Sequence, residues 1–277
     1  MAYGTFIERE WYRLRHVHVP DVLRDPTAGP LRLLHVSDTH LDPPDERKRR
    51  FLERVATSDY DLVVATGDLL GASGAEPYAG EALACLTDGR PGVAILGSND
   101  HWAPAFKSPL HYFRHTDERI HGEALDVDVL VDGLAAAGFE TLTTGVSRIA
   151  AGGRVIAIGT IDDPHMPENT IPSADRLRQA DDAVLRLGLV HAPYRAALDI
   201  LVDSGHDLVL AGHTHGGQVR LPGIGALVAN CDLPLRQVRG LSRHRGAWLH
   251  VSPGIGTSRY APFRFACRPE ATILHLT

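Results

Sequence analysis

The sequence predicts an α/β fold in which sheets are covered by helices, and three observations carry that expectation. Short apolar runs end abruptly in polar loops, as buried strands feeding loops do. Between the first of these runs lie segments with apolar residues at helical spacing. The final stretch of the chain reads as strand, so an alternation of strand and helix gives way to a β-rich end.

The elements follow in order. An N-terminal arm covers residues 1–30, and its Glu8-Arg9-Glu10-Trp11-Tyr12-Arg13-Leu14-Arg15 stretch mixes both charge signs, as a surface helix or strand does and a membrane anchor does not. Leu31 to Val36 is the first buried strand, followed at once by Ser37-Asp38-Thr39-His40. Basic residues Arg47 to Arg50 lead into Phe51, Leu52 and Val55 at helical spacing, and Asp61 to Thr66 then gives a second strand ending in Gly67-Asp68. A helix from Ala79 to Leu86 precedes a third strand, Gly92 to Leu96, which ends in Gly97-Ser98-Asn99-Asp100-His101.

Residues 102–126 hold aromatics, prolines and histidines, His111, His115 and His121 among them, with no clear period; they form either a surface excursion or a cap over a site. Val127, Leu130, Val131 and Leu134 mark one helical face that stops near Gly138, and Arg148 to Ala150 with Arg154 to Ile158 read as a hairpin across Gly152-Gly153. A strand from Leu187 to Val190 ends in His191-Ala192-Pro193, a helix covers Ala196 to Leu201, and Asp207 to Ala211 ends in Gly212-His213-Thr214-His215. Gly216-Gly217 opens a further strand, and the tail, Ala247 to Val251 and Phe265 to Leu276, is expected to close a second sheet. No linker divides the chain, so residues 1–277 are read as one domain.

Composition narrows the function classes. With 44% hydrophobic and 22% charged residues the chain is neither disordered nor collagen-like. A net charge of −6 lacks the basic footprint of a general nucleic-acid binder, so an anionic substrate needs a local positive centre. Cys85, Cys231 and Cys267 are widely spaced and form no CxxC pair, which points to a reducing, cytoplasmic setting and away from a thiolate zinc site. No apolar run approaches the roughly 18 residues that span a bilayer, which leaves peripheral membrane association open.

Five strand ends carry metal-capable side chains: Asp38 and His40, Asp68, Asn99, His191, and His213 with His215. Ligands bind outside the carboxyl ends of strands in α/β sheets, where such loops converge. Imidazoles, carboxylates and an amide without thiolate suit borderline or hard divalent ions such as Mn, Fe, Zn or Ni. Each residue alone has an ordinary explanation: Asp38 or Asp68 as a cap or turn residue, His191 as a satisfied core histidine.

Taken together, Asp38-Thr39-His40, Gly67-Asp68, Gly97-Ser98-Asn99-Asp100-His101, His191 and Gly212-His213-Thr214-His215 resemble, in order, the motif series of the calcineurin-like metallophosphoesterase superfamily. The segment Gly212 to Gln218 is similar to its bacterial phosphodiesterase-like branch. The resemblance implies a four-layer αββα sandwich of two mixed sheets between helices, with two divalent metal ions at the strand carboxyl edge. It places Asp38, His40 and His215 on one ion, Asn99, His191 and His213 on the other, and Asp68 between them. It further implies a hydrolase of a small phosphorylated substrate, a phosphodiester or phosphoanhydride, in which a hydroxide shared by the ions attacks phosphorus. Other expectations stay open beside it: a phosphomonoesterase acting on a small metabolite, and a non-catalytic metal-binding scaffold.

One loop departs from the family pattern. Ser98 follows Gly97 where the family has an asparagine and then a histidine. Either the loop is one residue longer, with Asn99 as ligand and His101 or Asp100 supplying the proton, or Ser98 faces the metal and Asn99 takes the histidine's place; the better donor chemistry of an amide oxygen favours the first. Asp162, Asp163 and His165 follow the strand ending at Thr160, and Arg259 lies beyond Gly254-Ile255-Gly256-Thr257. Asp163, His165 and Arg259 are the candidates for contact with substrate.

Overall fold

The computed structural model describes residues 2–105, 122–166, 169–179 and 182–277. Its strands, numbered along the chain, are β1 (Arg13–Val19), β2 (Leu31–Val36), β3 (Leu62–Thr66), β4 (Gly92–Ile95), β5 (Phe139–Thr141), β6 (Gly145–Ala151), β7 (Arg154–Ile161), β8 (Leu185–Val190), β9 (Leu208–Ala211), β10 (Arg220–Leu221), β11 (Gly225–Ala226), β12 (Gly240–His244), β13 (Ala247–Val251) and β14 (Glu270–Leu276). Helices are α1 (Ala2–Phe6), α2 (Glu46–Ala56), α3 (Glu76–Leu83), α4 (Ser98–His101), α5 (Val127–Ala136), α6 (Ala174–Leu177) and α7 (Arg195–Asp203).

Among the described residues two six-stranded sheets run β1-β14-β2-β3-β4-β5 and β12-β13-β9-β8-β7-β6. Both are mixed. In the first, β2, β3, β4 and β5 are parallel and β14 runs antiparallel to β2. In the second, β7, β8, β9 and β13 are parallel, flanked by antiparallel β6 and β12.

The apolar runs are nearly continuous because both faces of the central strands are buried. Leu31, Leu33, Leu62, Val64, Val93 and Ile95 of the first sheet pack against Ile156, Ile158, Leu187, Leu189, Leu208 and Leu210 of the second. The alternate residues, Leu34, Val36, Val63 and Ala65, meet Phe51, Leu52 and Val55 of α2, Ala79 and Leu83 of α3, and Leu130 and Leu134 of α5. On the far side Val190, Val209, Ala211, Leu249 and Val251 meet Ala197, Leu198 and Leu201 of α7. The result is the helix–sheet–sheet–helix sandwich that the resemblance implies.

Asp45 caps α2 by accepting from the Lys48 N–H at 3.1 Å, and Asp126 caps α5 through the Val129 N–H at 3.2 Å. Parallel β2, β3, β4, β8 and β9 end at the same edge, which is why the polar loops that follow them converge.

Part of the arm is strand, one of the two forms expected of it: β1 pairs in parallel with β14 over its whole length. Two local expectations are corrected. The tail does not close one sheet, because β13 joins the second sheet while β14 enters the first between β1 and β2, so the two ends of the chain complete the same layer. Gly216 and Gly217 belong to a 3-10 turn, His215–Gly217, and the strand beyond is only the ribbon β10–β11. The ends of the 102–126 segment are joined, with Trp102 bridging Ala124 and the Ala103 N–H donating to the Glu123 carbonyl at 2.8 Å; His111, His115 and His121 lie outside the described residues. The three cysteines are free. Among the described residues no helix is long and apolar enough to cross a membrane.

Helices α3 and α5 cross at Gly80 and Gly133. A Cβ at Gly80 would fall well inside contact distance of the Gly133 carbonyl, whereas a Cβ at Gly133 would find its nearest neighbour at 3.8 Å. Gly80→Ala should therefore destabilise by about 1–3 kcal/mol through overpacking, while Gly133→Ala should be neutral or stabilise by roughly 0.5–1 kcal/mol from helix propensity. Urea unfolding midpoints of the two variants check this; equal shifts would contradict the asymmetric contact.

Candidate metal centre

The strand-end loops bring two groups of donor atoms together: Asp38, His40 and His215 in one, Asp68, His191 and His213 in the other, with the donor atoms of each group within 4.8 Å of one another. Asp68 reaches toward both. Its Oδ2 lies 3.3 Å from His191 Nε2 and 4.0 Å from His40 Nε2. Asn99 meets the same carboxylate, its backbone N–H donating to Oδ1 at 2.9 Å and its side-chain amide lying 2.7 Å from Oδ2.

Backbone conformation is special here. Asp38, His40, Asp68, His213 and His215 all have positive φ, between 41° and 66°. Such a backbone costs of order 1 kcal/mol or more per residue outside glycine and persists where surrounding packing enforces it, as at functional sites. The motif glycines make room for the side chains: a Cβ at Gly97 would collide with Asp68 and His191, and one at Gly212 with Ser37 and Asp38.

Hydrogen bonds select which ring nitrogen faces inward. His191 Nδ1 sits 2.6 Å from the Thr66 carbonyl, so Nδ1–H donates there and Nε2 turns to the cluster, where it is buried without a hydrogen-bond partner. His40 Nδ1 is likewise 3.3 Å from the Leu70 carbonyl, leaving Nε2, which faces His215 Nε2 at 3.3 Å. His213 does the reverse, with Nε2 2.9 Å from the Asn230 carbonyl and Nδ1 left over. Fixing a ligand histidine through its other nitrogen is the usual outer-shell arrangement at metal sites.

The electrostatics fit a cation. Burial keeps His40, His213 and His215 neutral, His40 down to about 4, so their lone pairs are available. Burial pushes the Asp38 carboxyl up to about 7, with Asp68's charge adding to it against the pull of His191. Burial opposes charge on Asp68 and His191 as well, but the two hold each other ionised: Asp68 stays well below the usual carboxylate range and His191 well above the usual imidazole range. The proton that His191 holds against Asp68 is one a divalent ion would displace, freeing Nε2 as a donor atom, and carboxylates and imidazoles buried this closely match what such an ion requires.

The chemistry of this edge agrees with what the chain is related to. The family model for calcineurin-like phosphoesterases matches residues 31–217. The chain belongs to the calcineurin-like phosphoesterase family. Family membership makes it a metal-dependent hydrolase of phosphoric esters. It is 27% identical to the phosphodiesterase YaeI of Escherichia coli (strain K12), covering 99% of this chain and 92% of that protein. It is 26% identical to the metallophosphoesterase YkuE of Bacillus subtilis (strain 168), covering 88% and 78%, and 25% identical to a metallophosphoesterase of Aquifex aeolicus (strain VF5), covering 98% and 95%.

Other predicted residues take different places in this phosphoesterase. Asp100 is fully buried, and both carboxylate oxygens are engaged by backbone: Oδ1 accepts from the Leu69 and Leu70 N–H groups at 2.7 and 3.0 Å, Oδ2 from Gly97 N–H at 2.9 Å. Burial, with the charge of Asp68, pushes this carboxyl, expected as a candidate proton donor, up to about 7. It is a clamp that locks the Asp68 loop to the Asn99 loop. His101 closes the same turn and is half-buried, its carbonyl accepting from Leu125 N–H at 2.9 Å.

Asp163 is buried and ties loops of both sheets, accepting from Ser98 N–H at 3.0 Å and His165 N–H at 2.9 Å. His165 is half-buried, with its ring centroid 4.8 Å from that of His213 and its Nδ1 2.9 Å from Tyr194 Oη. Arg259 is exposed, and among the described residues no hydrogen bond or ion pair ties it to the donor groups. Buried cations beside the first group are instead Lys48, whose Nζ donates to the His40 carbonyl, and Arg264, whose guanidinium donates to the carbonyls of Pro253 and Cys267 at 2.7 and 3.2 Å and to that of Gly256. Tyr194, Asn230 and Arg264 were not singled out in the sequence. Tyr194 stands three residues past His191, but Asn230 and Arg264 sit in stretches with no period or motif to flag them.

Asp100→Ala should lower stability by at least about 2 kcal/mol, since three buried N–H groups lose their acceptor at roughly 1–3 kcal/mol each. Chemical denaturation checks this. A variant that keeps wild-type stability and loses only turnover would give Asp100 the proton-donor role.

Proposed function

We propose that this phosphoesterase hydrolyses phosphodiesters with two divalent ions, one held by Asp38, His40 and His215, the other by Asn99, His191 and His213, and Asp68 shared between them. The observation that carries this reading is the position of Asp68 Oδ2 between the Nε2 atoms of His191 and His40. Two dications need a shared anion to screen their repulsion and set their spacing. When bound, the ions supply positive charge for the phosphoryl oxygens and an activated water.

The chain's own residues do the rest. Asp100 and Asp163 hold the Asp68, Asn99 and His165 loops in register, so the donor set is preformed rather than assembled by substrate. His165, steadied by Tyr194, offers an imidazole beside His213 for contact with an ester oxygen. His101 is assigned the proton that goes to the leaving group. Among ions, Mn, Fe, Zn and Ni suit the imidazole–carboxylate donors, and three free thiols suit a reducing compartment. Preference for diesters is supported by the relationship to a phosphodiesterase over nearly the whole chain.

Metal-stripped protein reconstituted with each ion should cleave bis-p-nitrophenyl phosphate faster than p-nitrophenyl phosphate. Asp68→Asn should lose the diester activity by a thousandfold or more, roughly 4 kcal/mol in transition-state terms, and retain less than two ions. Turnover by metal-free Asp68→Asn would overturn the reading, and a monoester preference would redirect it to small phosphorylated metabolites. His101→Gln should slow diesters with alkyl leaving groups far more than p-nitrophenyl ones, whose leaving group needs no proton; equal losses on both would remove His101 from that role.

A further inference from the structure

A hydrogen-bonded chain runs from the core between the sheets to Asp38. His35 on β2 and His250 on β13 are both fully buried, with their Nδ1 atoms 2.8 Å apart. His35 Nε2 lies 2.9 Å from Thr66 Oγ1, Thr66 Oγ1 lies 2.7 Å from Ser37 Oγ, and Ser37 Oγ lies 2.6 Å from Asp38 Oδ2. Three strands, β2 with the loop that follows it, β3 and β13, thus meet in one line.

The direction of that line follows from donor and acceptor chemistry. A carboxylate that ligates a metal ion is ionised and only accepts, so the Ser37 hydroxyl spends its hydrogen on Asp38; its other available acceptor, the Thr66 carbonyl, is farther, at 3.3 Å. Ser37 therefore accepts from Thr66, and Thr66 accepts from His35, which must carry its proton on Nε2. Burial keeps both imidazoles neutral, His35 well below its ordinary range and His250 down to about 3. A neutral imidazole has one N–H. His35 Nδ1 is then a bare lone pair, and the His250 proton must sit on Nδ1 to meet it. This agrees with the far end of the line, where His250 Nε2 is buried with no hydrogen-bond partner. With His35 protonated on Nε2, a His250 proton on Nε2 would set two lone pairs against each other at Nδ1 and strand an N–H in the core.

We infer that His35 and His250 are positioning residues for Asp38, acting through Thr66 and Ser37 as a one-way chain of donors onto Oδ2; the His213 N–H spans both oxygens at 3.0 and 3.1 Å, and a lone pair of Oδ1 is left to the metal. Oδ1 is the oxygen that faces His215, at 3.7 Å from Nε2. The inference rests on the reading of Asp38 as a ligand. It assigns to two core histidines and two hydroxyls the outer-shell role that Thr66, Leu70 and Asn230 carbonyls play for the histidine ligands.

Long-range ¹H–¹⁵N spectra of the zinc-loaded protein, with His35 and His250 assigned by loss of signal in His35→Gln and His250→Gln, should show the proton of His35 on Nε2 and that of His250 on Nδ1. Equilibrium dialysis of zinc should then show two ions in the wild type and, in Ser37→Ala and Thr66→Val, one of the two weakened tenfold or more, the size of effect that outer-shell partners have. His35→Gln, which keeps an amide N–H near the Nε2 position, should retain more of that affinity than His35→Leu. Reversed tautomers, or wild-type affinity at both sites in Ser37→Ala, would overturn the chain while leaving the metal centre standing. A wild-type protein that takes up no zinc, manganese or other divalent ion would overturn the metal centre first, and with it the role of the chain.

Discussion

Two buried carboxylates, Asp38 and Asp68, sit within reach of four imidazoles at one edge of a double sheet, and the rest of the structure accommodates that placement. Burial alone drives each of these groups toward its neutral form, which for the imidazoles is the ligating form and for the carboxylates is not. The conflict is met locally. His191 holds Asp68 charged, Ser37 and the His213 N–H offset part of the burial cost of Asp38, and the inward-facing nitrogens of His40, His191 and His213 are each selected by a hydrogen bond at the opposite ring position.

The same requirement explains the architecture. Donors must come from both sheets, because no single loop can surround an ion pair, and only parallel strands ending at one edge deliver five loops to one place. The two sheets share a core of Leu, Val and Ile side chains whose packing sets the distance between those loops. Glycines at Gly97 and Gly212 let the chain approach where a Cβ would collide, and the left-handed turns at the ligand residues are held by that packing. Strain at the edge is supported by the cohesion of the layers beneath it.

Polar groups within the core extend the site inward. Asp100 and Asp163 lie fully or nearly buried, yet every oxygen they present is met by a backbone N–H. They join the Asp68, Asn99 and His165 segments, which come from different sheets, into one unit. His35 and His250 reach farther, into the interface between the sheets, so the position of Asp38 is coupled to the same contact that holds the two halves together.

Much of this was legible in the residues themselves. The apolar runs marked β2, β3, β4, β8 and β9, since strands buried on both faces need no alternation, and the polar residues after each run marked the site because ligand chemistry must sit where strands end. Helices α2, α5 and α7 followed from their period. What the sequence could not show depended on partners distant along the chain. Asp100 is met by the N–H groups of Leu69, Leu70 and Gly97, which its own motif does not announce; β1 becomes a sheet strand only because β14 returns beside it; and Asn230, Arg264 and His35 meet His213, His215 and His250 across 17, 49 and 215 residues. Motif spacing determines which groups are available and at which strand ends. Tertiary packing decides which of them are desolvated, which nitrogen carries a proton and which oxygen is left for a metal, because those depend on neighbours that adjacency in sequence does not specify.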